Sequence, residues 1–199
     1  MIVIGNGESR SSVNLDILND IKVGCNAVFR DYFVDHCICV DRRMVDEAIA
    51  QNHNKNILIY TRDDWHSRYA HHPNILKLPK LPYEGDERWD QPFQWGSGPY
   101  AALLGAMLAT DDVIKMIGFD LYGNEGKTNN IYKDTKNYNN SEKRAVDPRY
   151  WVHQHMMVFK CFPNKQFIVY NNLDWTAPKV WNQPNVKVDN ISNIIYNKD

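Results

Sequence analysis

The stretch Ile2-Val3-Ile4-Gly5-Asn6-Gly7-Glu8-Ser9 decides the fold of this chain. Its first three residues are apolar and β-branched, which is typical of a short strand buried in a parallel sheet. The two glycines let the backbone approach a ligand closely, and a helix that begins after them would direct its N–H groups at an anion. The stretch therefore predicts a nucleotide-holding turn over Gly5–Ser9. A tight strand-to-helix turn capped by Ser9 is the alternative, because Arg10 stands where a full G-x-G-x-x-G pattern has its third glycine.

Further short apolar runs follow along the chain, separated by helical patterns. The runs are rich in β-branched residues and occupy 37–40, 56–60, 113–117 and 166–170. The helical patterns occupy 44–50, 99–109 and 155–162. Strands that alternate with helices predict an α/β fold, here a Rossmann-like, mainly parallel sheet flanked by helices.

The composition is that of a globular protein. The 199 residues are 43% hydrophobic and 24% charged, which fits a single domain over 1–199. A net charge of −1 gives no basic excess for binding nucleic acid. No apolar run is long enough to span a bilayer and no secretory signal is apparent, so we predict a cytoplasmic protein without an integral membrane segment. The four cysteines, including Cys37-Ile38-Cys39, are interpreted as reduced, buried thiols.

Two stretches break the alternation of strands and helices. Residues 63–94 are polar, aromatic and dotted with prolines, and residues 123–149 are rich in Asn, Lys, Tyr and Asp. Long loops in a compact α/β domain are usually functional lids or disordered segments. Because 123–149 leaves the carboxyl end of the 113–117 run, where such sheets bind ligands, we predict that it is a small lid insertion. The tail from Asn182 onward is predicted to be a peripheral strand or an extension.

Small and polar residues mark two further candidate binding positions. Asn26 interrupts the apolar stretch 24–29 and must form hydrogen bonds, either to a ribose or base or only to backbone. Ser97 and Gly98 precede the most apolar helical pattern, so their loop could hold an anion or a sugar at a helix N-terminus. A simple N-cap by Ser97 is the equal alternative.

Candidates for catalysis follow the later strands. Asp120 and Tyr122 come directly after the 113–117 run, and a tyrosine hydroxyl at such a position can stabilise a departing phosphate. Tyr132, in the predicted lid, is a second such donor. His153 can accept a proton from an acceptor hydroxyl near neutral pH. His153 and His155 lack a third ligand at a spacing suited to zinc. Many sugar-nucleotide transferases hold a divalent metal with a D-x-D triplet, which this sequence lacks, so if the chain is such a transferase we predict that hydroxyls and backbone dipoles stabilise the leaving group without a metal.

Read in order, these segments resemble the bacterial sialyltransferases of glycosyltransferase family 42. Similarity runs from Ile2 to about Asn171 and is weak between Asp46 and Gln94. Five short segments carry it, in register with that family's G-N-G-P-S, C-N, T-S-G-V-Y, G-I-D-F-Y-Q-N and Y-I-G-H motifs. In this chain they read Gly5-Asn6-Gly7-Glu8-Ser9, Cys25-Asn26, Ser97-Gly98-Pro99-Tyr100, Gly118-Phe119-Asp120-Leu121-Tyr122-Gly123-Asn124 and Tyr150-Trp151-Val152-His153.

The resemblance implies inverting transfer of a sugar, a nonulosonic acid in the family's manner, from a CMP-activated donor to a glycan hydroxyl. It makes His153 the base, and it makes Tyr122 and Tyr132 the hydrogen-bond donors to the leaving phosphate. The nucleotide is assigned to Gly5, Asn6, Gly7 and Asn26, and the carboxylate of the sugar to Ser97 and Gly98. The CMP-sugar is the donor substrate, and no cofactor is implied.

The chain departs from the family pattern at four positions. Glu8 replaces a proline, Gly96 a threonine and Gln94 an arginine, while Asp41 falls near a nucleotide-binding asparagine. Asp41 and Gln94 are kept as candidate donor contacts.

Two other functions stay open at this stage. The glycine loop and the Ser-Gly pair also resemble the MptE-like proteins, which include hydroxymethylpterin diphosphokinases; that function predicts a carboxylate pair near the phosphates, with Asp41 and Asp120 as candidates. A non-catalytic nucleotide- or sugar-binding module is the other alternative. The sequence leaves a homo-oligomer open, and its Asn/Lys-rich composition points to a bacterial or viral source.

Overall fold

A computed structural model describes residues 1–51, 56–85 and 90–195 of the chain. Its centre is one sheet of eight parallel strands in the order β5-β4-β3-β2-β1-β6-β7-β8. The strands are β1 (Ile2–Ile4), β2 (Lys22–Cys25), β3 (His36–Ile38), β4 (Leu58–Thr61), β5 (Ile75–Lys77), β6 (Val113–Ile117), β7 (Gln166–Asn171) and β8 (Val186–Asn190). Helices flank this sheet, so the predicted Rossmann-like α/β fold is confirmed.

Four α-helices connect the strands within the described residues. They are α1 (Arg42–Gln51), the one-turn α2 (Asp63–His66), α3 (Ser97–Leu108) and α4 (Arg149–Cys161). Helix α3 is apolar around most of its circumference because it lies between the sheet and α4, where both sides of the helix are covered. No helix of the described residues is long and apolar enough to cross a membrane.

The alternation of side chains along β1 divides the core into two parts. Ile2 and Ile4 belong to one hydrophobic cluster, and Val3 belongs to the other. Successive residues of a strand point to opposite faces of the sheet, so β1 is buried from both sides. This burial explains why β1 reads as an uninterrupted apolar run.

The position of β1 also locates a binding crevice. β1 pairs with β2 on one side and with β6 on the other, and the direction of chain progression through the sheet reverses between β1 and β6. In open parallel sheets, ligands bind beyond the carboxyl ends of the strands at such a reversal. The loops after Ile4 and Ile117 are therefore the expected walls of a site.

Three strands lie outside the five apolar runs. β2 follows the 3-10 turns after β1. β5 lies inside the stretch 63–94, which the sequence predicts to be a loop. Residues 86–89 of that stretch lie outside the described residues. β8 falls in the tail after Asn182 and pairs in parallel with β7, which agrees with the predicted peripheral strand.

The predicted lid lies between β6 and α4. Its residues form turns and two isolated bridges, between Asn124 and Lys127 and between Lys127 and Arg144. The segment ends where α4 begins, at Arg149. We call residues 123–149 the lid segment.

Candidate functional site

A cavity of about 170 Å³ opens at the carboxyl ends of β1, β2 and β6. Its walls come from the loops after these strands, from the first turn of α3, from the lid segment and from α4. The lining residues are Gly5, Asn6, Gly7, Cys25, Asn26, Ser97, Gly98, Pro99, Gly118, Phe119, Asp120, Leu121, Asn129, Asn130, Trp151 and His155. We call this space the switch-point cavity.

Two glycines form its floor because the ends of β1 and β6 approach each other closely. The Gly5 N–H donates to the Ile117 carbonyl at 2.8 Å, and the Gly7 N–H donates to the Gly118 carbonyl at 2.8 Å. A Cβ atom on Gly5 would lie 2.2 Å from the Gly118 carbonyl oxygen. Gly118 itself has φ +70°, a conformation that favours glycine.

Asp120 fixes the loop that follows β1. Its buried carboxylate accepts hydrogen bonds from the Ser9 N–H at 2.9 Å and from the Ser9 hydroxyl at 2.5 Å. The Asn171 side chain donates to it at 3.5 Å. A Cβ on Gly7 would lie 2.3 Å from this carboxylate, so the absence of a side chain at Gly7 is what admits Asp120. Ser9 thus anchors the loop through Asp120.

Asn26 and Ser97 join the ends of β2 and β3 to α3. The Ser97 hydroxyl donates to Asn26 Oδ1 at 2.8 Å and accepts from the Val40 N–H at 3.2 Å. Asn26 has φ +51°, which asparagine tolerates better than most residues. The N-cap alternative for Ser97 is wrong, because Ser97 is the first residue of α3 and the N-cap is Gly96. The Ser97 hydroxyl is committed to this network.

Asn6 presents a polar atom that the protein leaves unused. Its Nδ2 donates to the Cys25 carbonyl at 3.2 Å and to the Tyr138 hydroxyl at 3.3 Å. Its Oδ1 is buried and has no hydrogen-bond partner among the described residues. Because an unpaired buried acceptor is costly, a ligand that donates a hydrogen bond here would be favoured.

The lid segment docks directly on the glycine loop. Asn129 Oδ1 accepts from the Glu8 N–H at 2.9 Å, and the Ile131 N–H donates to the Asn6 carbonyl at 2.9 Å. Lys133 forms an ion pair with Glu8 at 2.5 Å. The lid segment therefore forms part of the cavity wall through Asn129 and Asn130, and the cavity volume lies below the roughly 300–1,000 Å³ of most ligand sites.

His155 lines the cavity, although the sequence did not single it out as a site residue. Its Nδ1 lies 2.7 Å from the Trp151 carbonyl, which can only accept, so Nδ1 carries the proton. Burial lowers the pKa of His155 to about 4, and the ring is neutral at pH 7. Its Nε2 is a buried acceptor with no partner among the described residues. Phe119 packs edge-on against the ring, with the centroids 5.0 Å apart.

His153 projects elsewhere from the same helix. Its Nε2 contacts the carboxylate of Asp90, which also accepts from the Tyr83 hydroxyl at 3.2 Å. A carboxylate that holds one ring nitrogen fixes the orientation of an imidazole. His153 is not among the described residues that line the cavity, whereas Trp151, two positions earlier, is.

The structure places five other predicted site residues outside the cavity lining, and the first of them is Ser9, which binds Asp120 as described above. Tyr122 is half exposed and lines a smaller adjoining cavity that shares Leu121, Asn129, Asn130 and Trp151 with the switch-point cavity. Tyr132 is buried, and its hydroxyl faces an Arg10 guanidinium nitrogen at 3.1 Å. The Gln94 backbone carbonyl accepts a hydrogen bond from the Gln154 side chain. Asp41 is exposed just before α1, and its backbone carbonyl accepts from the N–H groups of Met44 and Val45. The suggested carboxylate pair of Asp41 and Asp120 is thus not assembled in this cavity.

The cysteines and other metal-ligating side chains form no candidate metal centre among the described residues. Cys37 and Cys39 lie on one face of the sheet with their sulfurs 3.8 Å apart, and all four thiols are free, three of them buried. Burial raises the pKa of Cys25 to about 12, so this thiol in the cavity wall is protonated at neutral pH.

Comparisons of the chain with models of protein families, with curated proteins and with solved structures found no match. The resemblance to family 42 sialyltransferases therefore stays a prediction, carried by the five segments alone.

Proposed function

We propose that this chain is a glycosyltransferase that binds a nucleotide-activated sugar in the switch-point cavity and transfers the sugar to a glycan hydroxyl. One observation carries the proposal. All five segments of the resemblance, although spread over about 150 residues of the chain, contribute to the lining of this one cavity. The contributions are Gly5–Gly7, Cys25 and Asn26, Ser97–Pro99, Gly118–Leu121 and Trp151.

The donor we propose is a CMP-activated nonulosonic acid. We place the donor phosphate beside the backbone of Gly5, which lines the cavity and carries no side chain, and away from Gly7, where the Asp120 carboxylate lies. Asn6 Oδ1 and the Asn26 side chain offer polar contacts for the nucleoside, and Gly98 leaves room for the sugar. Tyr122, at the adjoining rim, is the hydroxyl assigned to the leaving phosphate; the buried hydroxyl of Tyr132 is already engaged by Arg10 and gains no support for that role.

The transfer step needs a base beside the acceptor. In our proposal His153 takes the proton of the acceptor hydroxyl as the acceptor oxygen attacks the anomeric carbon, and CMP leaves with the electrons of the broken bond. Asp90 orients the imidazole through its contact with Nε2. Because His153 lies outside the cavity lining, the acceptor must meet the donor at the rim next to Trp151.

We expect the lid segment to move when the donor binds. A CMP-sugar is larger than a cavity of about 170 Å³ can hold, and the contacts of Asn129, Ile131 and Lys133 with the glycine loop hold the lid segment against one side of that cavity. We therefore expect donor binding to displace the lid segment, which makes opening a step before transfer.

The test follows CMP release from CMP-sialic acid with and without a panel of acceptor glycans. We expect release by the wild-type protein, a loss of about 100-fold or more in His153→Ala, and unchanged CMP affinity in that variant. His71→Ala, which removes a histidine from a polar loop, is the matched control and should retain full activity. CMP binding without release under any condition would identify a binding module instead, and absence of both binding and release would refute the proposal.

A further inference from the structure

Arg10 is a buried cation that no carboxylate of the described residues contacts directly, although Asp31 interacts with the Tyr132 hydroxyl that Arg10 also contacts. Its side chain is only 2% exposed. Its Nε donates to the Gly5 carbonyl at 2.7 Å, and a terminal nitrogen donates to the Tyr132 hydroxyl at 3.1 Å. No ion pair within 4.0 Å joins Arg10 to a carboxylate of the described residues. A buried charge is costly unless it is paired, so this arrangement calls for an explanation beyond local packing.

The position of Arg10 connects it to the switch-point cavity. Gly5, whose carbonyl accepts from Arg10, is part of the cavity floor. A Cβ on Gly118, the other floor residue, would lie 3.0 Å from Arg10 Cδ. The guanidinium therefore lies directly behind the floor. Its field reaches the cavity wall, because the charge of Arg10 opposes the rise that burial causes in the pKa of Cys25.

Arg30, a cation close to Arg10, does have a carboxylate partner. Arg30 also stacks on Tyr132, with its guanidinium carbon 5.4 Å from the ring centroid, but it forms a two-point ion pair with Glu47. The carboxylate nearest the floor in the cavity lining is Asp120, which is held by Ser9 at the Gly7 end of the loop. The cavity is thus polarised, with positive charge behind its Gly5 end and negative charge at its Gly7 end.

We infer that Arg10 is a positioning residue that makes the Gly5–Gly118 end of the cavity specific for an anion, the phosphate of the nucleotide. The ligand is then oriented, with its phosphate over Gly5 and its hydroxyl groups toward Asp120. This inference rests on the proposed nucleotide-binding function of the same cavity. Arg10 acts through its charge behind the backbone and makes no direct contact with the ligand.

The experiment compares the dissociation constants of CMP and cytidine, which differ by the phosphate alone. We expect the wild-type protein to prefer CMP, and Arg10→Gln to reduce that preference about tenfold with little change for cytidine, since a charge behind a partly desolvated site acts over several ångströms. Arg30→Gln is the matched control: it removes a cation that also contacts Tyr132, and it should keep the preference. Arg10→Lys keeps the charge and should retain most of the preference.

Each outcome decides between readings. Equal losses for CMP and cytidine in Arg10→Gln would show that Arg10 only supports the fold. If the wild-type protein binds CMP and cytidine with equal affinity, the inference is overturned without any variant. This comparison therefore decides the question even if Arg10→Gln does not fold. If the wild-type protein binds neither compound, the proposed function fails, and the inference is then decided with inorganic pyrophosphate: binding that Arg10→Gln weakens supports it, and no binding overturns it.

Discussion

Replacing Gly7 by alanine tests the physical basis of the glycine loop. The backbone of Gly7 has φ −64°, which alanine adopts freely, so any cost must come from the added methyl group. That group would lie 2.3 Å from the carboxylate of Asp120, well inside contact distance, and would push the carboxylate away from Ser9. Two charge-assisted hydrogen bonds would be lost or stretched, at roughly 1.5–3 kcal/mol each. We therefore expect the free energy of unfolding to fall by about 3–6 kcal/mol if both bonds are lost.

Urea denaturation of matched variants measures this cost. Gly126→Ala is the control, because nothing lies within 4 Å of a Cβ there and its φ of +76° should cost only about 1–2 kcal/mol. A second comparison isolates the clash: in an Asp120→Ala background the Gly7→Ala change should cost less than about 1 kcal/mol, because the obstructing carboxylate is gone. An equal cost in both backgrounds would refute the reasoning.

Three further predictions concern the switch-point cavity and the lid segment. Burial lowers the pKa of His155 to about 4, so between pH 6.5 and 4 the unfolded chain binds more protons than the folded protein does. The free energy of unfolding should therefore fall by about 3 kcal/mol as the pH drops through that window. The fall should be smaller in His155→Phe. Ser97→Ala removes the donor to Asn26 and should cost about 1–2 kcal/mol of stability in urea and raise the CMP dissociation constant severalfold. Lys133→Ala breaks the ion pair with Glu8 and should speed CMP association in stopped-flow measurements, because the lid segment must open.

These three predictions fail in different ways. A pH dependence of stability that is identical in wild-type protein and in His155→Phe would mean that the buried ring is not kept neutral. Unchanged stability and affinity in Ser97→Ala would mean that its hydroxyl bonds do not hold the cavity wall. Slower or unchanged CMP association in Lys133→Ala would mean that the lid segment does not limit entry.

The strands that the sequence predicts are those that carry a short run rich in apolar, β-branched residues. β1, β6 and β7 are read directly from β-branched runs because both sides of each strand need apolar residues. β2 has only four residues, Lys22–Cys25, one of them glycine, and β5 has three with a terminal lysine. Such short strands acquire their structure from pairing with neighbours, which a local pattern does not report.

The backbone part of the site is likewise more predictable than the side chains around it. Gly5, Asn26 and Asp120 follow strands, and the carboxyl ends of parallel strands meet at one edge of the sheet. The face of α4 that meets the cavity was harder to predict. His153 and His155 are two positions apart, which turns them to different sides of a helix, and the packing of α4 selects His155 for the lining.

Arg10 shows what sequence alone does not reveal. In the sequence it is the residue that breaks a glycine pattern, and charged residues are normally exposed. Its burial follows from the close approach of β1 and β6, which leaves a Gly5 carbonyl to be satisfied from behind the floor. Only the tertiary arrangement shows that this carbonyl faces a cation.

The central claim is that the switch-point cavity holds the nucleotide, and a crystal structure of the protein with CMP tests it most directly. The account predicts CMP density in the cavity, with the phosphate over Gly5 and the lid segment displaced from Glu8. CMP bound at another surface, or no CMP density at millimolar concentration, would contradict it.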